Sequence, residues 1–173
     1  MIFVSGIHGV GKTFFCNIMK KRLNVESYTA SQLIASRRNE RFAENKLVSN
    51  IDDNQDLLVV AIEELRKAEK EFILDGHFCL LNESGEITRI PLDTYMLLKP
   101  DLIILLTEKP EIIADRRLQR DNVCQDVSEI TEFQEKEKCY AKEIAEKLDV
   151  SLVVSRGMND IDKIVDCIKR GEY

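Results

Sequence analysis

The chain has 173 residues, of which 44% are apolar and 32% are charged, and its formal net charge at pH 7 is −6. This length and composition predict one globular domain that buries a substantial core. The negative charge argues against extensive nucleic-acid binding and against membrane binding, because both usually require a basic face. The longest apolar runs, residues 57–62 and 102–106, are too short to span a bilayer.

The cysteines and the first residues of the sequence predict where in the cell the protein is located. The five cysteines, at positions 16, 79, 124, 139 and 167, are odd in number and form no C-x-x-C pair. They suggest neither a disulfide framework nor a zinc site, and we expect reduced, mostly buried thiols. Because Met1 leads directly into an apolar run, no room is left for a signal peptide, and we expect a soluble cytoplasmic protein.

The chain begins with an apolar run of strand length, and the next eight residues match the motif G-x-x-x-x-G-K-[ST]. These residues are Gly6, Ile7, His8, Gly9, Val10, Gly11, Lys12 and Thr13. The glycines allow backbone N–H groups to approach phosphate oxygens, and the positive end of the following helix adds to the attraction. We expect Lys12 to reach the β- and γ-phosphates of a nucleotide and the Thr13 hydroxyl to ligate Mg²⁺. His8 occupies a free position of the motif and is interpreted as a loop residue.

A helix over Phe14 to Leu23 and a β-prone segment over Glu26 to Ala30 follow the loop. Ser31 is a plausible N-cap for a helix over residues 32–39. The stretch from Arg37 to Asn50 is polar and basic, and we interpret it as a mobile excursion. Its basic residues include Arg37, Arg38, Arg41 and Lys46.

The middle of the chain alternates between helical and extended patterns. Asp52 and Asp53 open the clearest amphipathic helix, and Phe72 to Asp75 is a buried strand that ends in an acid. Leu81 to Thr88 has the composition of a loop, and Pro91 starts a short helix that ends near Leu98. Residues 101–107 form a strand that is apolar on both faces, as a central parallel strand requires.

The last third contains three further helices and one strand. The first helix runs from Pro110 to about Arg120, and Thr131 with Gln134 resembles the capping box of a long helix. A fifth strand over residues 150–154 precedes the last helix. This alternation predicts an α/β domain, a P-loop NTPase three-layer fold with a five-stranded parallel sheet and helices on both faces. The ligand should lie at the carboxyl ends of the strands.

Two further groups of residues are candidates for catalysis. Asp75 ends a buried strand next to the expected position of the phosphate loop, where a carboxylate can order Mg²⁺ or accept a proton. His77 follows at the tip of the same strand and can hydrogen-bond a nucleotide. Arg116, Arg117 and Arg120 gather three guanidinium groups on one helix, and such groups suit the charge of a transferring phosphoryl group.

The order of these motifs resembles that of the nucleoside monophosphate kinases, and most of all the archaeal-type adenylate kinases and their small relatives. The motifs are the N-terminal phosphate loop, Leu-Asp-Gly-His at 74–77, the Pro91 segment, Lys-Pro-Asp-Leu-Ile at 99–103 and Arg-Arg-Leu at 116–118. The resemblance implies transfer of the γ-phosphoryl group of MgATP to a nucleoside monophosphate. It further implies that residues 6–13 hold ATP.

The resemblance also implies a division of one kinase domain, residues 1–173, into functional parts. Residues from about 30 to 50 would bind the monophosphate acceptor, and residues from about 116 to 130 would form a short lid carrying the three arginines. One departure concerns the acceptor segment, because residues 30–35 read Ala-Ser-Gln-Leu-Ile-Ala and lack the arginine that follows T-G-D-x-x in common adenylate kinases.

The residues leave two other interpretations open. The protein could use the same ATP-binding residues to phosphorylate a different acceptor, such as a coenzyme precursor, a sugar or a polynucleotide 5′ end. It could also be a nucleotide-dependent regulatory ATPase or binding module. The sequence contains no N-K-x-D element of the kind that small GTPases use for guanine. The expected partners are therefore a nucleotide and a small-molecule acceptor, and the sequence is compatible with a homo-oligomer.

Overall fold

A computed structural model describes residues 1–43, 51–68, 71–82, 84–122 and 124–173, with only the backbone described for residues 39–43 and 51–53. The strands are β1 (Ile2–Ser5), β2 (Glu26–Thr29), β3 (Phe72–Asp75), β4 (Cys79–Leu81), β5 (Ile87–Arg89), β6 (Leu102–Leu106) and β7 (Ser151–Ser155). The helices are α1 (Lys12–Leu23), α2 (Ala30–Ala43), α3 (Ile51–Ala68), α4 (Leu92–Leu98), α5 (Pro110–Asp121), α6 (Val127–Leu148) and α7 (Ile161–Arg170).

Five strands form one parallel sheet in the order β2-β3-β1-β6-β7. Every residue of β3 and β6 is buried, since helices cover these strands on both sides. The register places Asp75, the last residue of β3, between Val4 of β1 and Thr29 of β2. The predicted five-stranded parallel sheet is confirmed, and Asp75 lies at its carboxyl edge beside the start of the phosphate loop.

The helices pack in two groups against this sheet. Helix α1 contacts α7 together with β2 and β3, whereas α6 contacts β6, β7 and α4. The long helix α6 buries Phe133, Tyr140 and Ile144, as its spacing indicates. The rings of Phe3, Phe78, Tyr95 and Tyr140 meet in the core between α4, α6 and the sheet, with ring centroids from 4.9 to 6.5 Å apart.

The loop predicted over residues 81–88 is wrong at its two ends, where β4 and β5 pair antiparallel and form a β-hairpin. The composition identified the turn but not its strands. The Asn82 side chain accepts hydrogen bonds from the backbone N–H groups of Ser84 and Glu86 at 3.0 and 2.8 Å, which closes the turn. The strands were missed because each has only three residues, too few for a period-2 pattern.

Two helix boundaries also differ from the predictions. The expected mobile excursion over residues 37–50 is wrong for residues 37–43, which continue helix α2, while residues 44–50 lie outside the described part of the chain. Helix α6 starts at Val127, earlier than the predicted capping box. Asp126 caps it by accepting a hydrogen bond from the Ser128 backbone at 2.7 Å, and Thr131 donates to the Val127 carbonyl inside the helix.

Candidate active site

The predicted phosphate loop runs from the end of β1 to the start of α1. Gly6, Gly9 and Gly11 all have positive φ values, of 145°, 82° and 108°. At Gly9 a Cβ atom would lie only 3.0 Å from Cγ of Arg117 and 3.2 Å from Cγ2 of Ile113. Glycine is therefore required there by the close approach of α5 as well as by the backbone conformation.

Lys12, the first residue of α1, is buried, and its ammonium group turns back over the loop. Nζ donates a hydrogen bond to the Gly6 carbonyl at 2.7 Å and lies 3.3 Å from Nε2 of His77 and 3.8 Å from Oδ1 of Asp75. Burial lowers the pKa of Lys12, and the negative charges of Asp75 and Glu137 partly offset this effect. The structure thus brings Lys12, Asp75 and His77 into one cluster, although Lys12 is far from the other two in the sequence.

The segment after β3 is held close to the sheet. The Gly76 backbone N–H donates to the Val4 carbonyl at 3.0 Å, and a Cβ atom at Gly76 would lie 2.7 Å from the Phe3 ring. The packing of Phe3 therefore explains the glycine between Asp75 and His77. Burial raises the pKa of Asp75, while the nearby Lys12 charge acts in the opposite direction.

The contact of His77 with Lys12 assigns the proton on the His77 ring. Because an ammonium group only donates, Nε2 of His77 is the acceptor in its contact with Lys12, and the ring proton then lies on Nδ1. Nδ1 is buried and has no hydrogen-bond partner among the described residues. Burial, followed by the charge of Lys12, lowers the pKa of His77 well below its ordinary value. The ring of His8 lies 4.6 Å from that of His77 between centroids, so His8 adjoins the cluster.

The three arginines of α5 take different positions. Arg116 donates to the Val10 carbonyl at 3.0 Å and pairs with Glu108 at 3.2 Å, and Arg120 is held by Asp121 at 2.7 Å. Both line the cavity beside the loop. Arg117 is buried and is absent from that lining.

Arg117 supports the loop from behind. Its Nε and Nη2 atoms both donate to the His8 carbonyl, at 2.9 and 2.7 Å, and Nη1 donates to the Gln125 side chain. The lid predicted around residues 116–130 covers the end of α5 and the start of α6, and its role stays a prediction.

The phosphate loop, Lys12, Asp75 and His77 line a cavity of about 650 Å³ at the carboxyl edge of the sheet. Thr13 lies on the same lining and is exposed to the cavity. Ile7 also contributes, but its side chain and that of Val10 are buried in the core, so these two residues can offer a ligand mainly their backbone.

A second, smaller cavity of about 110 Å³ shares part of this lining, including Ala30, Ser31 and His77. It lies between α2, α3, α4 and the sheet, and most of its wall is apolar. Two of its polar side chains, Gln55 and Thr94, are only 8% and 5% exposed. Neither side chain makes a hydrogen bond to another described residue.

Comparison with known proteins identifies the family. The sequence matches the model of a family described as an AAA domain over residues 5–134. The chain belongs to this family. A relative from Methanocaldococcus jannaschii, named "Putative adenylate kinase", is 26% identical over 175 residues, which cover 97% of this chain and 85% of the relative.

Solved structures of low sequence identity share the fold. A shikimate kinase from Acinetobacter baumannii in complex with shikimate superposes with a TM-score of 0.60 at 13% identity, covering 99% of this chain and 93% of the other. A gluconokinase from Sinorhizobium meliloti gives 0.51 at 13% identity, with coverages of 99% and 97%. The predicted fold class and the predicted enzyme class, a P-loop kinase, are confirmed, while the acceptor is not determined.

Three residues that the structure places in or beside the site were not predicted from the sequence. Glu137 is buried on α6, and Gln55 and Thr94 line the smaller cavity. A signal existed for Glu137, which lies four residues after Phe133 and three before Tyr140 on the apolar stripe. Gln55 similarly lies three residues before buried Leu58. A polar residue inside a buried stripe indicates a specific partner or ligand.

Among the described residues, no helix is long and apolar enough to cross a membrane.

Proposed function

We propose that the protein transfers the γ-phosphoryl group of MgATP to a nucleoside monophosphate, as the name of its Methanocaldococcus jannaschii relative suggests. The observation that carries the proposal is that two cavities share part of their lining, including Ala30, Ser31 and His77. The larger one is lined by the phosphate loop and basic side chains, and the smaller one is apolar with two unpartnered polar groups. A triphosphate fits the chemistry of the first cavity, and the apolar wall with two polar groups in the second suits a nucleobase.

The ATP half follows from the groups that line the larger cavity. Residues 6–13 would hold the triphosphate, and Lys12 would neutralise the β- and γ-phosphates. Arg116 and Arg120 would stabilise the charge of the transferring group, since guanidinium groups bind phosphoryl oxygens well. Arg117 would act indirectly, because its hydrogen bonds fix the carbonyl of His8 and thereby the loop.

The donor set at this cavity fits Mg²⁺. The Thr13 hydroxyl and the Asp75 carboxylate both line it, and they are the hard oxygen ligands that Mg²⁺ prefers beside phosphates and water. No cluster of three or more metal-binding side chains occurs in the described ranges, which agrees with an ion held largely by substrate phosphates. When bound, Mg²⁺ would neutralise developing charge on the phosphates.

Asp75 and His77 would serve the transfer step in distinct ways. The buried Asp75 carboxylate would either order the metal or accept a proton from the attacking group. His77 would hold the Lys12 ammonium group through Nε2, at the point where its ring lines both cavities. Its lowered pKa keeps the ring neutral at neutral pH, so it contributes a hydrogen bond rather than a charge.

The acceptor half would combine the segment near residues 30–50 with α3 and α4. We propose that Gln55 and Thr94 recognise the acceptor, with Ile34 and Leu58 forming apolar contacts. A primary amide offers a donor and an acceptor side by side, which matches the edge of a nucleobase. Residues 44–50 of the predicted acceptor segment lie outside the described part of the chain.

One observation favours a second candidate, a kinase for a hydroxyl acceptor. The described residues that line the smaller cavity include no lysine and no arginine. On α2, Arg37 instead pairs with Glu64 of α3, and Arg38 donates to Asn54. A monophosphate dianion would need a cation beside it, whereas a neutral alcohol would not.

A panel of acceptors separates the candidates. The protein is supplied with MgATP and, in separate reactions, each common nucleoside monophosphate, the matching nucleosides and no acceptor, and the phosphorylated product is identified directly. The proposal predicts a nucleoside diphosphate from one or a few monophosphates. Product from a nucleoside alone would support the hydroxyl-acceptor candidate, and ATP hydrolysis that no acceptor stimulates would support a regulatory ATPase.

A further inference from the structure

Glu137 is an unusual residue for its position. It lies on α6 among buried apolar side chains, and it is only 1% exposed. A buried carboxylate is costly unless hydrogen bonds replace its water. No ion pair among the described residues includes it, so hydrogen bonds must do so.

The two oxygens of Glu137 accept three hydrogen bonds. Oε1 accepts from the Phe78 backbone N–H at 2.9 Å and from the Ser5 hydroxyl. Oε2 accepts from the Cys79 backbone N–H at 2.6 Å. Each oxygen therefore has a backbone donor, and these hydrogen bonds favour the ionised carboxylate, whereas burial acts more strongly in the opposite direction and raises the pKa of Glu137.

The donors come from the two chain segments that build the active site. Ser5 is the last residue of β1, directly before Gly6 of the phosphate loop. Phe78 and Cys79 directly follow His77, whose carbonyl accepts a further hydrogen bond from the Tyr95 hydroxyl at 2.6 Å. Glu137 thus connects the start of the loop to the far side of the segment that carries Asp75 and His77.

We propose that Glu137 is a positioning residue for phosphoryl transfer, whose carboxylate fixes the Asp75–His77 segment against the phosphate loop and so sets the place of the His77 ring beside Lys12. The inference rests on the proposed function for its effect on turnover, but not for the geometry it describes. A change far from the reacting atoms that displaces a catalytic group by about 1 Å can reduce the rate by about 100-fold. The position that Glu137 fixes therefore matters for turnover.

The geometry requires both carboxylate oxygens. In Glu137→Gln one oxygen becomes an NH₂ group, which would face a backbone N–H and repel it. In Glu137→Asp the charge is kept, but the side chain is one methylene shorter and cannot reach both segments equally well. Glu137→Gln therefore tests whether two hydrogen-bond-accepting oxygens are needed, and Glu137→Asp tests whether the length of the side chain is needed.

The test compares these variants with Glu132→Gln, a matched control on the exposed face of α6, where the side chain is 62% exposed. We expect kcat to fall by about 10- to 100-fold in Glu137→Gln and by a smaller factor in Glu137→Asp, with KM for ATP changed by less than about threefold. The control should match the wild type in both constants.

Nuclear magnetic resonance provides a readout that does not depend on turnover. Short hydrogen bonds to a charged acceptor shift an amide proton downfield, so the Cys79 amide proton of the wild type should resonate at an unusually low field. In Glu137→Gln this signal should move upfield, and the ring protons of His77 should shift as well. Glu132→Gln should leave both sets of signals in place.

Several outcomes overturn the inference. A folded Glu137→Gln variant with wild-type kcat would do so, as would unchanged Cys79 and His77 signals. If this variant does not fold, Ser5→Ala removes one of the three hydrogen bonds, and kcat should fall by about three- to tenfold with KM for ATP unchanged. A wild-type kcat in that variant overturns the inference too.

If the wild type phosphorylates no acceptor, the proposed function fails, and the resonance signals alone then decide the positioning role.

Discussion

The two halves of the site are built in different ways. The phosphate side is formed by consecutive residues at the end of one strand and the start of one helix, supported by Asp75, His77 and the arginines of α5. The proposed acceptor side is assembled from α2, α3, α4 and the hairpin, and its wall is mostly apolar. The phosphate loop is therefore encoded locally, whereas the proposed acceptor side depends on side chains that are far apart in the sequence.

The largest expected effect tests the phosphate side. In Lys12→Ala, the loss of a buried cation should reduce kcat by about 100- to 1,000-fold or more, as removal of a charge-stabilising group does in other enzymes. Steady-state transfer assays with saturating MgATP measure this effect. Lys21→Ala removes an exposed lysine from the same helix and should keep wild-type turnover. Equal turnover in Lys12→Ala and Lys21→Ala would show that Lys12 takes no part in phosphoryl transfer.

The acceptor side should respond in a different constant. Gln55→Leu and Thr94→Val each remove a buried polar group, and we expect KM for the acceptor to rise by about 10- to 100-fold. KM for ATP should stay unchanged, because neither residue lines the larger cavity. Thr88→Val, an exposed threonine on β5, serves as the control. A rise in KM for ATP instead would break the division into two halves.

A pair of glycines tests how the loop is supported. Gly9 and Gly85 have similar φ values, of 82° and 78°, but a Cβ atom added at Gly9 would have neighbours within 4 Å, whereas one added at Gly85 would have none. Replacement by alanine should cost about 1–2 kcal/mol of unfolding free energy at Gly85 from the backbone alone. At Gly9 the clash with Arg117 should add about 1–3 kcal/mol. Denaturant unfolding compares the two variants, and equal losses would show that the contact with α5 is unimportant.

The smallest effect concerns pH. Burial lowers the pKa of His77 well below 6.5 in the folded protein. Below pH 6.5 the unfolded chain therefore binds a proton on this histidine that the folded protein does not bind. The free energy of unfolding therefore has its full value with respect to His77 above pH 6.5. It decreases as the pH falls below 6.5, by at most about 1.4 kcal/mol per pH unit. His77→Gln should show a shallower loss of stability between about pH 7.5 and about pH 5.5. Identical slopes in thermal melts of the two proteins would contradict a neutral, buried His77.

The sequence predicted the sheet well because its central strands are continuous apolar runs, and the position of Asp75 followed from the topology. It predicted the phosphate loop because that motif is contiguous. Helical spacing places Arg116 and Arg120 on one face of α5 and Arg117 off that face. It could not predict what Arg117 does there, since that depends on a contact with the His8 carbonyl, which is distant in the sequence. The pairing of the short hairpin strands and the shape of the cavity around Gln55 likewise depend on tertiary contacts between segments that are distant in the sequence.

Transfer of labelled phosphate tests the central claim most directly. The wild type and Lys12→Ala are each given ATP labelled at the γ-phosphoryl group, with Mg²⁺ and the preferred monophosphate, and the label is followed in a parallel reaction without acceptor. The account predicts that the wild type moves the label to the monophosphate, that the variant does not, and that little inorganic phosphate forms without acceptor. Label released only as inorganic phosphate, at a rate that no acceptor changes, would contradict a kinase with an acceptor site.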